Sequence, residues 1–163
     1  MHAQDMLIKL YAQTFDPGLL QVLEPKDIRI RKPIGPDRHT LLHWAGEHFP
    51  STWVSEIEQA LCNRPSSCFI AQRASGLLGF AAYDATALGY LGPVGVIEEA
   101  RGLGIGRTLV RACMLEMRLQ GYGYAIVGMA GAPEFFRKVA GAIEIPGSSP
   151  GLYTESLALR RPD

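Results

Sequence analysis

The sequence predicts one mixed α/β (α+β) domain spanning residues 1–163, with a mostly antiparallel central sheet of about six to seven strands flanked by helices. Three observations point there. The chain has 163 residues, 47% of them apolar and 20% charged, ordinary values for a globular protein large enough to bury one core. Its apolar residues switch between alternating and three-to-four spacing in the order β-α-α-β-β-β-α-β-α-β-β, which is not a regular parallel alternation. Two apolar runs also flank Ala74-Ser75-Gly76, a hairpin signal that sets neighbouring strands antiparallel.

The elements follow in order. Residues 6–12 read as a short strand and residues 16–24 as one or two helical turns, with Asp16 as N-cap and Pro17 at the first helical position. Residues 1–26 are thus expected to form an N-terminal extension docked on the domain by its apolar side chains. Ile28-Arg-Ile-Arg31 alternates as a half-buried strand does. Pro36 opens a helix to about His48, and Ser51 is expected to cap a second, with Val54, Ile57 and Leu61 on one face. Residues 68–73, 77–83 and 88–96 read as strands. The next helix, Ile105 to about Gln120, carries Leu109, Cys113 and Met117 as one stripe and Arg107, Arg111 and Arg118 on another face. Residues 124–129 read as a central strand, Pro133 starts a helix that Gly141 closes, and residues 143–145 and 153–159 read as final strands.

Between the strand ending at Val96 and the helix starting at Ile105 the chain reads Arg101-Gly-Leu-Gly-Ile-Gly106. Glycines let a ligand approach the backbone closely, and the first N–H groups of a helix lack intrahelical partners and favour negative charge. The expected ligand group is a phosphate or pyrophosphate, with Arg101 adding a forked, charged donor. The G-x-G-x-G spacing departs from the dinucleotide fingerprint G-x-G-x-x-G. The stretch also lacks the lysine of a P-loop, and Arg101 stands where the P-loop's first glycine belongs.

This run matches the R/Q-x-x-G-x-G/A motif of the GCN5-related N-acetyltransferase (GNAT) superfamily. Gly92-Pro-Val-Gly-Val96 before it resembles that superfamily's fourth strand. The following helix, apolar strand and Pro-Glu-Phe-Phe-Arg-Lys helix continue the likeness across roughly residues 27–159. The resemblance implies an acetyl-CoA (CoA) cosubstrate held between splayed fourth and fifth strands. Val94, Gly95 and Val96 would pair with the pantetheine arm, and Arg101, Gly102, Leu103, Gly104, Ile105, Gly106 and Arg107 would hold the pyrophosphate. It implies direct acetyl transfer to the amine of a small molecule. The alternative is a CoA-binding relative with little or no transferase activity, serving as a sensor or regulatory partner.

The chain departs from the family in the helix that often carries an acid tyrosine: Phe136 occupies that position, and Met129 stands where an asparagine is common. Phe136 is retained as a cofactor-binding position. Tyr83, Tyr90, Tyr122, Tyr124 and Tyr153 are replacement donors, with Tyr124 and Tyr153 preferred because they sit in or near strands lining the expected cleft. Water is the alternative proton source. Base candidates are Glu47, His48, Glu56, Asp84 and Glu98, with Glu47 and His48 preferred beside Phe49 and Trp53.

Composition narrows the partners. Sixteen basic residues balance sixteen acidic ones, which gives no footprint for nucleic acid or an anionic membrane. Three cysteines and four histidines form no metal spacing, so no metal is expected. No apolar run reaches membrane-spanning length and the N-terminus lacks a signal-peptide pattern, so a cytoplasmic location is expected. An exposed final strand or the N-terminal segment could support a homodimer.

Overall fold

The computed structural model describes residues 3–158. Its strands are β1 (Met6–Lys9), β2 (Arg29–Arg31), β3 (Cys68–Arg73), β4 (Gly76–Tyr83), β5 (Leu91–Val96), β6 (Tyr124–Val127) and β7 (Ile143–Glu144). The helices are α1 (Asp37–His48), α2 (Ser51–Cys62), α3 (Ile105–Leu119) and α4 (Pro133–Ala140).

The strands form two antiparallel sheets, ordered β2-β3-β4-β5 and β6-β1-β7. Among the described residues a parallel bridge, Tyr90 to Ile126, joins them, with the Ile126 amide donating to the Gly89 carbonyl at 2.9 Å. Beyond that bridge β5 and β6 diverge, which is the expected splay.

Alternation along β3 and β4 sorts side chains to two faces. Phe69, Ala71, Ala81 and Tyr83 join the core beneath α3, and Leu109, Cys113 and Met117 of α3 are fully buried in it, as their stripe predicts. Cys68, Ile70, Phe80 and Ala82 face a second core closed by Leu41 and Ala45 of α1 and by Ile57 and Ala60 of α2. Phe49, Trp53 and Phe80 pack as a ring cluster within it, and Gly95 admits them: a Cβ there would stand 2.7 Å from the Phe49 ring.

Several boundaries differ from expectation. Residues 6–12 split into β1 and a 3-10 turn at Leu10–Ala12, and the 16–24 helix is a single 3-10 turn at Leu19–Gln21. Pro50, not Ser51, is the N-cap of α2, and no side chain caps that end. Strand β6 stops at Val127 because Met129 turns the chain with φ +44°.

The largest difference is at the two ends of the described chain. β1 lies in the middle of the second sheet, pairing Met6 with both Val127 and Glu144, and Met6, Ile8 and Leu10 are fully buried. The expected last strand, Tyr153–Leu159, is instead a 3-10 turn at Gly151–Glu155, with Thr154 Oγ1 donating to the Gly151 carbonyl at 2.8 Å; Leu159 lies outside the described residues. The slot between β6 and β7 is filled by β1, so the later segment finds no edge there and crosses the mouth of the splay.

The basic residues of α3 also find work. Arg111 donates to the carbonyls of Val139 and Thr14 and covers the Phe15 ring at 5.0 Å, and Arg118 donates to the Gln13 carbonyl at 2.5 Å. They anchor the segment after β1.

Candidate active site

A cavity of about 730 Å³ opens where β5 and β6 part. Gly92, Pro93 and Val94 of β5 form one wall, and Val127 of β6 with residues 128–132 after it forms the other. Phe136 of α4 lies at its base, and the first turns of α2, Thr86 and the Tyr153 turn complete it.

The β5 wall carries unused backbone. Ile97 donates to Leu78 at 2.9 Å and Gly95 stands opposite Phe80, so in an antiparallel ladder residues 95 and 97 face β4. The peptide groups of Val94 and Val96 therefore point the other way, into the splay. This open edge runs roughly 13 Å from Gly92 to Val96 at strand rise and leads to the glycine loop, where Arg101 Nε contacts the Val96 carbonyl at 3.4 Å.

The loop is built as its sequence requires. Gly102 and Gly104 sit at φ +80° and +86°, a region costly for residues with a Cβ. Gly104 is the N-cap of α3 and no side chain caps that helix, so the amides of its first turn face outward. Gly106 is needed for approach: a Cβ there would stand 3.3 Å from the Phe135 ring of α4. Lys26, which sequence reasoning missed, donates to the Leu103 carbonyl at 3.0 Å and brings a second cation to the loop. Its signal was too weak to find, being one lysine in a polar turn far away in sequence.

Of the preferred proton-transfer candidates, only Tyr153 lines the cavity. Tyr124 sits at the far end of β6, outside the cavity lining, half exposed and edge-on to Tyr11 at 5.5 Å. Glu47 and His48 also lie away from the cavity lining. Both lie on the outer last turn of α1, Glu47 pairing with His43 at 3.4 Å and His48 packing on Trp44, and neither lines the cavity. The sequence placed them beside Trp53, but the α1–α2 corner turns Phe49 and Trp53 inward and leaves the polar pair outside. Tyr83 is buried under α3 and accepts from Gln120, and Tyr122 donates to Asp84; neither lines the cavity.

Glu56 of α2 is the lone carboxylate lining the cavity among the described residues. Burial raises its pKa, offset in part by the Thr86 hydroxyl, which donates to Glu56 Oε1 at 2.5 Å. Burial, followed by the negative charge of Glu56, pushes the Tyr153 phenol up to about 12, while Thr86 opposes the shift. Glu56, Thr86 and Tyr153 are thus one cluster drawn from α2, the β4–β5 turn and the C-terminal 3-10 turn. Thr86 was missed because an isolated threonine in a turn has no motif.

Backbone features fix the cluster's far wall. A Cβ on Gly128 would lie 2.4 Å from the Tyr153 hydroxyl oxygen, so only glycine lets the phenol rest there. Asp5, buried next to β1, accepts from the Met129 amide at 2.8 Å, and its own amide donates to Ser148 Oγ at 2.8 Å. The start of the chain thereby holds both the turn after β6 and the approach to Tyr153. Among the described residues no three His, Cys, Asp or Glu side chains group as a metal site requires, and no helix is long and apolar enough to cross a membrane.

Comparison with solved structures places this architecture. A region of a fungal multi-domain GH3 β-N-acetylglucosaminidase, described as a GCN5-related glucosamine N-acetyltransferase region, is 14% identical with TM-score 0.71, over 89% of this chain and 20% of that one. A GCN5-related N-acetyltransferase from Sphaerobacter thermophilus is 20% identical with TM-score 0.63, over 89% of this chain and 50% of that one. A GNAT family acetyltransferase from Brucella melitensis in complex with acetyl-CoA is 19% identical with TM-score 0.52, over 73% of this chain and 91% of that one. The chain thus spans only a fifth to a half of the first two structures, and these likenesses show the fold. No curated protein matches the chain in sequence. The sequence model of the acetyltransferase (GNAT) family matches residues 38–142, from α1 through the glycine loop to the end of α4, and the chain belongs to that family.

Proposed function

We propose that the protein is an acetyl-CoA-dependent N-acetyltransferase that moves an acetyl group directly to the amine of a small molecule. The observation that carries this reading is the convergence of the open β5 edge, a proton acceptor and a proton donor on one cavity. The residues fit the cosubstrate: peptide groups of Val94 and Val96 turned away from β4 suit an extended amide-bearing arm, and the uncapped α3 terminus with Arg101 and Lys26 suits a pyrophosphate. Acetyl-CoA supplies an activated acetyl group when bound.

The chain supplies proton handling and position. An amine attacks only when neutral, and Glu56, with its raised pKa, accepts the ammonium proton more readily than an exposed glutamate would. Tyr153 stays protonated at neutral pH and acts as a hydrogen-bond donor to a departing thiolate, taking the place that Phe136 leaves empty of a hydroxyl. Thr86 positions Glu56. Holding both reactants across the splay contributes the orientation that bimolecular transfer lacks.

Thiol release from acetyl-CoA with a panel of small amines tests the reading. Turnover that falls in Tyr153→Phe and Glu56→Gln supports it. Tight CoA binding without turnover on any amine favours the non-catalytic relative, and absence of CoA binding overturns the reading altogether.

A further inference from the structure

The acceptor side of the cavity carries an electrostatic statement about its ligand. Among the described residues its lining contains one carboxylate, Glu56, and no lysine, arginine or histidine. The remaining polar side chains are uncharged: the hydroxyls of Ser51, Thr52 and Ser55 on the first turns of α2, together with Thr86, Tyr153 and Ser156. Trp53 adds an aromatic surface, stacked on Phe49 at 5.4 Å between centroids.

We infer that the acceptor is a cationic primary amine whose neighbouring substituents are uncharged, such as hydroxyl or aromatic groups, and that α-amino acids and phosphorylated amines are rejected. This deepens the N-acetyltransferase reading and rests on it. A half-buried carboxylate held by a single threonine hydroxyl attracts an ammonium group, and an aromatic face does so as well. A substrate carboxylate two bonds from that nitrogen, or a phosphate about four bonds away, would lie within several ångströms of the Glu56 carboxylate and be repelled by it. The amide end of α2 opens on the same cavity, but a substrate hydroxyl can accept a hydrogen bond there without setting a second full negative charge beside Glu56. Like charges at such a separation correspond to roughly a 10–100-fold penalty at the effective dielectric of a partly buried site.

The test uses matched pairs that differ by one anionic group near the amine: ethanolamine against serine, tyramine against tyrosine, ethanolamine against phosphoethanolamine. With the wild-type chain and acetyl-CoA, kcat/KM from thiol release should favour the uncharged-substituent member by about 10-fold or more. Glu56→Gln should lower both rates and shrink the ratio toward one. Equal or reversed preference, with turnover present, overturns the inference and leaves the transferase reading standing. If no amine turns over, the transferase reading fails. Saturation-transfer NMR binding of the same pairs to the CoA-loaded protein then decides the inference alone: preferential binding of the uncharged-substituent members upholds it, and equal binding overturns it.

Discussion

Gly128→Ala tests how the Tyr153 hydroxyl is placed. The added methyl would sit 2.4 Å from the phenol oxygen and 3.1 Å from two ring carbons. Ordinary non-bonded contact begins near 3.5 Å, so the phenol must retreat by roughly 1 Å. Gly128 is not among the positive-φ residues, so the backbone tolerates alanine and the effect is one of contact. Overpacking of this kind costs about 1–3 kcal/mol, equivalent to a Tm fall of roughly 2–12 °C for a domain of this size. A displacement of about 1 Å in a reacting group lowers kcat by on the order of 100-fold. Thiol release at saturating acetyl-CoA reads kcat, and calorimetry reads Tm. Gly131→Ala is the control, because a Cβ there meets nothing within 4 Å on the same turn-rich segment. Tyr153→Phe removes the clashing oxygen, so adding Gly128→Ala to that variant should cost less than it does alone. A kcat for Gly128→Ala within twofold of wild type would refute the placement of the donor.

Three further outcomes follow from the geometry. Glu56 is destabilised as a carboxylate in the fold, so the folded state holds its proton more tightly than the unfolded chain does and stability falls as pH rises from the ordinary value of 4.5 through the raised one. Glu56→Gln should therefore raise Tm relative to wild type at pH 7.5, leave it unchanged near pH 3.5, and abolish an acid limb in kcat/KM lying above pH 4.5; a Tm difference independent of pH contradicts this. Ile8→Ala, in the fully buried centre of the second sheet, should cost about 2–5 kcal/mol, and a loss under 1 kcal/mol in denaturant titration would show β1 to be dispensable. Arg101→Ala should weaken CoA binding by roughly 10–100-fold, the share of one charged hydrogen bond, as read by titration calorimetry; retained affinity removes Arg101 from the loop's anion site.

The local elements and the loop were legible because their signals are local. Pro133 and Gly141 bracket α4, the Leu109-Cys113-Met117 stripe marks the buried face of α3, and a proper spacing of glycines marks the loop before it. The ends were not legible. Residues 153–159 alternate like a strand, yet whether they become one depends on an open edge, and the partner of β6 is fixed by residues at the opposite end of the chain. Which polar side chains line the cavity was hidden for the same reason. Glu47, His48 and Glu56 are equivalent as sequence, and only the corner between α1 and α2 turns Glu56 inward and leaves the other two on the outer surface. Thr86 and Asp5 act through contacts with residues far along the chain, at Glu56 and Met129, which no periodicity encodes.

The position of β1 has a consequence for the order in which the protein can be made. During synthesis β1 emerges first, but its partners Val127 and Glu144 come more than a hundred residues later. At ribosomal rates of about 5–20 residues per second, an apolar strand with two unpaired edges waits on the order of ten seconds. The four-stranded sheet, α1, α2 and α3 can assemble in that interval, whereas the second wall of the cavity can form only after α4 and β7 have left the ribosome. The nascent chain therefore acquires its glycine loop before its cleft, and Met6, Ile8 and Leu10 wait uncovered until β6 and β7 arrive.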